Sequence, residues 1–275
     1  DSAKNAELWD SNAVYPWELE LLVNERLALP YDALFLVIAM RSWNEIAGFV
    51  NLVRHAENEE SGYYNKDRDI VDHLFRIAGR QFRWQQGFLS RQEIFRSTYV
   101  YGQGKAATYF REKYGITIEV FTAVCFAYFS LYAEFPQAQR VTDLRLLNIS
   151  DWEREVALSK ITRSLRAARE IARESRLGNN EIAFKASILR QYPLIALGAN
   201  NSRLCCPLPD LLMNRMTSGL FYDVIGGGGD IREEIGAKFE EYALMAITKL
   251  APDINVESEF AYSTKLGERK SSDLL

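Results

Sequence analysis

Two carboxylates towards the C-terminal end of the sequence are the side chains best placed to do chemistry. Glu240 lies in a segment whose apolar residues recur with helical spacing, and Asp273 opens a short run that is typical of a strand. On a helical wheel of about 100° per residue, Glu240 falls at the edge of the apolar stripe, whereas Glu241 points away from Phe239. Two such carboxylates can attract a divalent cation.

The elements around these carboxylates are predicted from periodicity. The helix is expected to pack its apolar stripe on a sheet, because alternation over residues 254–262 predicts a strand directly after it. A polar turn from Thr264 to Ser271 is expected to lead to a second strand over residues 272–275, which contains the aspartate. The stripe consists of Phe239, Tyr242, Ala243, Ala246, Ile247 and Leu250.

This order of elements, over residues 236–275, resembles the first half of the core of the PD-(D/E)xK nuclease superfamily. The resemblance implies that Glu240 and Asp273 are catalytic residues that hold Mg²⁺, and that a following strand supplies an E-x-K pair. Ser272 stands where the family has Pro, and the E-x-K triplet at residues 268–270 precedes the aspartate, so we interpret that triplet as a chance match in the turn. The chain ends before the expected E-x-K strand, and we expect it to be inactive alone.

A row of arginines is the second candidate site. A capping box, Ser150 with Glu153, predicts the start of a helix that runs to Gly178. Because arginine presents forked donors that suit a nucleic-acid backbone, a row on one helix face predicts a ridge that contacts phosphates. The alternative is a solvent-exposed helix face on which Glu170 and Glu174 partly neutralise the arginines. The arginines are Arg163, Arg166, Arg169 and Arg173.

Composition excludes several classes of protein. With 275 residues, 48% of them hydrophobic and a net charge of −4, the chain is globular and not a generally basic nucleic-acid binder. The three cysteines, two of them adjacent at 205 and 206, form no disulfide framework, which favours the cytoplasm. The longest uncharged run, residues 120–133, is shorter than the roughly 20 residues that span a bilayer, so no membrane partner is predicted. His55 and His73 have no metal-ligand spacing.

The predicted fold class is mainly α, with two domains. Residues 1–190 form a multi-helical domain, and residues 191–275 form a β-hairpin, helices and the truncated start of an α/β nuclease-like core. Strands are expected only after Tyr192, where two short apolar runs around residues 198–202 predict a hairpin with a five-residue loop. The glycine run at 226–229 lacks the phosphate-binding patterns and is interpreted as a flexible hinge.

Two functions stay open from the sequence. The first is the N-terminal portion of a metal-dependent nuclease with a nucleic acid as its partner. The order of strands and helices after Tyr192 resembles that of bacterial nuclease-like proteins, and this resemblance implies a role in defence or conflict. The second is a helical protein-interaction or adaptor module with a degenerate C-terminal appendage. An apolar strand bearing E-x-K or Q-x-K soon after Asp273 in a longer reading frame favours the first, and its absence favours the second.

Overall fold

The computed structural model of the protein describes residues 14–29, 42–64, 71, 78, 84, 90–175, 187–198, 200–253, 261–264 and 267–270. These residues confirm that the chain is mainly α, with one small mixed sheet and a separate two-stranded hairpin. Asp273, the strand predicted over residues 272–275 and most of the strand predicted over residues 254–262 lie outside the described residues.

Some helices begin at residues whose side chains satisfy the first amides. The Glu153 amide donates to Ser150 Oγ at 3.2 Å while the Ser150 amide donates to Glu153 Oε2 at 2.9 Å, which confirms the predicted capping box. The helices are α1 (Pro16–Ala28), α2 (Trp43–Tyr64), α3 (Arg91–Tyr101), α4 (Gly104–Tyr114), α5 (Ile118–Glu134), α6 (Asp151–Ile161), α7 (Leu165–Glu174), α8 (Ile188–Gln191), α9 (Asp210–Met216), α10 (Leu220–Val224) and α11 (Gly229–Leu250).

The main sheet has four strands in the order β1-β4-β3-β2. Its centre is the predicted hairpin, which is confirmed: Ile195 pairs with Cys205 and Leu197 with Arg203 in antiparallel register. Gly198 and Asn201, with φ values of 88° and 51°, provide the left-handed conformations that the loop needs. The strands are β1 (Gln139–Arg140), β2 (Thr162–Ser164), β3 (Leu194–Leu197) and β4 (Arg203–Cys205).

Two strands precede Tyr192, so the prediction that strands appear only after it is wrong. β1 pairs antiparallel with β4, and β2 pairs parallel with β3. Each of these strands has only two or three residues, which is too short for an alternating pattern to be visible in the sequence. They form because the backbones of β3 and β4 offer free hydrogen-bonding edges. These edges come from residues that are distant in the sequence.

The helix predicted from Ser150 to Gly178 is interrupted by β2. α6 ends at Ile161, and α7 begins at Leu165 after three extended residues. Ser164 caps α7 by accepting a hydrogen bond from the Ala167 amide at 3.2 Å. The parallel pairing of β2 with β3 stabilises the extended backbone and overrides the helical pattern.

Contacts divide the chain into two compact units, each of which draws on both sides of residue 190. Unit 1 comprises residues 1–89, 127–143 and 158–215; unit 2 comprises residues 90–126, 144–157 and 216–275. The core of unit 1 joins α1, α7, α8, β3 and α9. Its buried apolar residues are Leu27, Ala28, Ala168, Ala172, Ile188, Leu189, Ile195, Leu208 and Leu211.

Unit 2 is built on aromatic and aliphatic side chains of its helices. Phe110 is fully buried and packs edge-on against Tyr114 and Phe121, at centroid distances of 4.7 and 5.5 Å. α11 buries Ile231 and Ile235 and contacts α3 and α4. The expectation that the apolar stripe of this helix, residues 239–250, packs on a sheet stays a prediction, because most of the strand predicted after the helix lies outside the described residues.

The C-terminal hairpin replaces the predicted turn. β5 (Ala261–Thr264) pairs antiparallel with β6 (Gly267–Lys270). Residues 264–271, expected to be a polar turn, therefore contain the whole of β6, and the E-x-K triplet lies within this strand rather than in a turn. Cross-strand pairing decides this, since Thr264 opposes Gly267 across a very short connection.

Candidate functional site

Glu240 lies on α11 with its side chain exposed to solvent. Its predicted partner, Asp273, lies outside the described residues, so the structure does not bring the pair together or separate it. Within the described part of the chain, no group of three or more His, Cys, Asp or Glu side chains is placed to hold a metal ion. Glu240 is therefore an exposed carboxylate on α11.

The neighbouring Glu241 is held by two partners instead. Tyr99 Oη of α3 donates to Glu241 Oε1 at 2.6 Å, and Lys238 Nζ donates to Glu241 Oε2 at 2.7 Å. The hydrogen bond from Lys238, with that from Tyr99, lowers the pKa of Glu241, and the same carboxylate raises the pKa of Tyr99. Of the two adjacent carboxylates, Glu241 therefore joins two helices while Glu240 stays open to solvent.

An aromatic cluster lies beside Glu241 in unit 2. The rings of Phe95, Tyr99 and Tyr242 lie with centroids 6.0–6.2 Å apart, in tilted arrangements. Phe95 is 53% exposed, and Phe239, one turn before Tyr242 on α11, is 52% exposed. The cluster therefore presents apolar surface at Phe95, and Phe239, the residue before Glu240, is exposed as well.

The acidic start of α11 binds the start of α4. Glu234 accepts a hydrogen bond from the Lys105 amide at 2.8 Å, and Asp230 pairs with Lys105 Nζ at 3.3 Å. Gly104 precedes Lys105 with a φ of 66°, and a side chain there would collide with the Glu234 carboxylate. These two acids are therefore occupied in holding a helix N-terminus, where negative charge is favourable.

Within the glycine run, Gly227 alone leaves no room for a side chain, and the interpretation of the run as a flexible hinge stays a prediction. Residues 225–227 form one 3-10 turn that leads into α11. A Cβ at Gly227 would overlap Ile231 Cδ1 and lie 3.0 Å from the Tyr109 ring. Gly228 has a φ of 113°, a conformation that side chains rarely adopt.

Arg163, the first arginine of the predicted ridge, lies in β2 and not on a helix. Its guanidinium carbon is 3.7 Å from the centroid of the Tyr192 ring, and Arg163 Nη2 donates to Tyr192 Oη at 2.7 Å. Arg163 Nη1 donates to the Ser159 and Thr162 carbonyls. This guanidinium joins β2 to the segment before β3.

The other three arginines lie on α7 but do not share one environment. Arg169 is only 5% exposed and donates to the Leu29 carbonyl at 3.1 Å, so it joins α7 to the end of α1. Arg166 and Arg173 are exposed, and Arg166 pairs with Glu170 at 3.0 Å. The four arginines therefore form no continuous ridge: the break at β2 removes Arg163 from the face, and packing buries Arg169.

Sequence reasoning missed a polar cluster inside unit 1. Glu20, 6% exposed on α1, accepts hydrogen bonds from Arg190 of α8 and from Trp84 Nε1, the latter at 2.8 Å. Asn24, also buried, accepts from the Ile188 amide at 3.2 Å. The signal in the sequence is that Glu20 and Asn24 fall in line with Leu27 on one helix face, where polar residues need distant partners.

No protein-family model, curated protein or solved structure matches the chain. The described residues form a mainly helical protein with a small mixed sheet and a C-terminal hairpin. No single helix among the described residues has the length and apolar composition to cross a membrane, although α4 and α5 taken as a bent pair meet both criteria.

Proposed function

We propose that the chain carries the first part of a Mg²⁺-dependent nuclease of the PD-(D/E)xK type. The observation that supports it is the order of elements after the main sheet. α11 bears an exposed Glu240, an antiparallel hairpin of β5 and β6 follows, and Asp273 comes shortly after Lys270, the last residue of β6. The resemblance depends on the order helix Glu, strand, turn and then Asp at the start of the next strand, and here β6 occupies the place of the turn.

Exposed apolar residues on α11 add support. Phe239 precedes Glu240 and is 52% exposed, and Leu250 at the helix end is 86% exposed. In the proposed core, a sheet covers this side of the helix and brings its carboxylate to the rim. Burial of an aromatic side chain contributes about 1.5–3 kcal/mol, which favours such packing.

The two carboxylates suit the proposed metal, since Mg²⁺ prefers oxygen ligands and is held by one or two carboxylates with several waters. When bound, the ion polarises a phosphate and activates a water. Glu240 is accessible to an ion from solvent. The E-x-K strand, expected after Asp273, supplies a further ligand and a lysine where negative charge develops, and without it we expect weak metal binding and no cleavage.

The test is cleavage of a labelled oligonucleotide with Mg²⁺ or Mn²⁺, by this chain and by the product of the reading frame continued past Leu275. We expect activity only in a longer product with an E-x-K or Q-x-K strand, and loss of activity in Glu240→Ala and in Asp273→Ala. Glu233→Ala, an exposed acid on the same helix, is the matched control and should retain activity. Cleavage that survives both site variants would reject the proposal.

A second candidate is a protein-interaction module, which the exposure of Phe95 and Phe239 favours. Exposed aromatic side chains mark protein contacts as readily as an uncovered core face. The cleavage experiment separates the two functions. The module predicts no metal-dependent cleavage by a product of any length.

A further inference from the structure

Two arginines oppose each other at one edge of the main sheet. Arg140 of β1 stands directly opposite Arg203 of β4, and both side chains are exposed. Directly opposite residues on antiparallel strands have Cβ atoms about 5 Å apart, so like charges in these positions destabilise the pairing. An anion bound between the two guanidinium groups would remove that repulsion.

Neither arginine forms an ion pair with another described residue. Three other arginines in unit 1 do form ion pairs: Arg54 binds Glu18, Arg166 binds Glu170 and Arg190 binds Glu20. Arg140 and Arg203 retain donors that are available to a ligand.

The loop beside the pair leaves it accessible. Residues 198–202, which immediately precede Arg203, contain no charged side chain. Asn201 and Ser202 are exposed, and Val141, next to Arg140, is 40% exposed. A flexible anionic strand can therefore approach this edge without meeting a carboxylate in the loop.

We propose that Arg140 and Arg203 together hold a phosphate group of a nucleic-acid strand. Arginine presents planar, forked donors that bind phosphate oxygens in pairs, and two adjacent guanidinium groups match one phosphate or two successive ones. The choice of nucleic acid as the source of the phosphate rests on the proposed nuclease function. The arginine pair itself is a feature of unit 1 and does not involve Glu240 or Asp273.

The first test measures binding of a fluorescein-labelled single-stranded oligonucleotide by anisotropy at increasing NaCl. The double variant Arg140→Gln with Arg203→Gln is compared with Arg91→Gln with Arg111→Gln, which removes equal charge from exposed positions on α3 and α4. Each lost phosphate contact flattens the log–log salt slope by about 0.7. We therefore expect the slope to flatten by about 1.4 in the Arg140/Arg203 variant and to stay unchanged in the control variant. Equal losses in both variants would overturn the site.

The second test uses pyrophosphate as the probe and thermal unfolding as the readout. A ligand that binds only the folded state raises the Tm, so pyrophosphate at constant ionic strength should raise the Tm of the unmodified chain and not that of the Arg140/Arg203 double variant. Without ligand, we expect the double variant to have a Tm no lower than that of the unmodified chain, because a repulsion is removed. A similar rise in both proteins would contradict the site.

The binding and cleavage experiments test the arginine site and the nuclease function separately. An oligonucleotide that binds with an unchanged salt slope in the double variant rejects the arginine site and leaves the nuclease proposal in place. A flatter slope in the double variant, without cleavage by any longer product, supports the site and rejects the nuclease. No binding by the unmodified chain rejects the arginine site.

Discussion

The guanidinium of Arg190 binds both carboxylate oxygens of Glu20, with nitrogen–oxygen distances of 2.7 and 2.6 Å. Trp84 Nε1 donates to the same carboxylate, so a single acid on α1 accepts three hydrogen bonds. Both side chains of the pair are largely buried. The pair therefore joins the first described helix of unit 1 to the segment that leads into the main sheet.

Removal of one member of this pair should destabilise unit 1 strongly. Arg190→Met leaves a buried carboxylate without its main partner, and the expected loss is about 3–5 kcal/mol of unfolding free energy. Urea unfolding followed by circular dichroism measures it. Arg166→Met removes an exposed helical pair and should cost less than about 0.5 kcal/mol. Equal effects of the two variants would contradict a structural role for the Glu20 pair.

Arg163 should contribute to stability through Tyr192. Arg163→Lys keeps the charge but loses the planar group stacked on the ring, with an expected cost of about 1–2 kcal/mol. Tyr192→Phe keeps the ring and loses only the hydroxyl contact, so its cost should be nearer 1 kcal/mol. Denaturant unfolding gives both values. Unchanged stability together with weaker nucleic-acid binding would instead support the phosphate-contact role predicted for Arg163.

The glycines at the start of α11 should differ sharply in their tolerance to alanine. Gly227→Ala places a methyl group against Ile231 and the Tyr109 ring, and Gly228→Ala forces a side chain into a strained φ of 113°. Each is expected to lower the unfolding free energy by about 1–3 kcal/mol. Gly229→Ala meets open space at the helix start and should be neutral or slightly stabilising. Thermal unfolding of the three variants tests this order.

The α6 capping box should make a pH-dependent contribution to stability. The Ser150 hydroxyl and amide donate to the Glu153 carboxylate, and these hydrogen bonds lower the pKa of Glu153 from its usual 4.5. A depressed pKa in the folded state gives stability that is fully present above the unfolded pKa and is lost as the pH falls through the folded value. The Tm difference between the unmodified chain and Glu153→Gln should therefore shrink from pH 7 towards pH 3. Glu112→Gln, an exposed control, should show no such trend.

The elements that follow from neighbouring residues were predictable. The capping box at Ser150 and Glu153 depends on groups three residues apart, and the hairpin of β3 and β4 depends on two short apolar runs around a polar loop. The Glu240 helix was likewise visible from its period, although α11 begins earlier than the stripe suggested. Interactions within a turn or a hairpin are encoded locally, and so the sequence determined them by itself.

Tertiary structure decided the rest, because the partners are distant in the chain. The helical pattern continues through residues 162–164, but pairing with β3 converts them to a strand and removes Arg163 from the arginine face. Arg169 looks like its exposed neighbours in sequence, and only the packing of α7 on α1 buries it. The carboxylate of Glu20 finds its guanidinium 170 positions away, which no local pattern records.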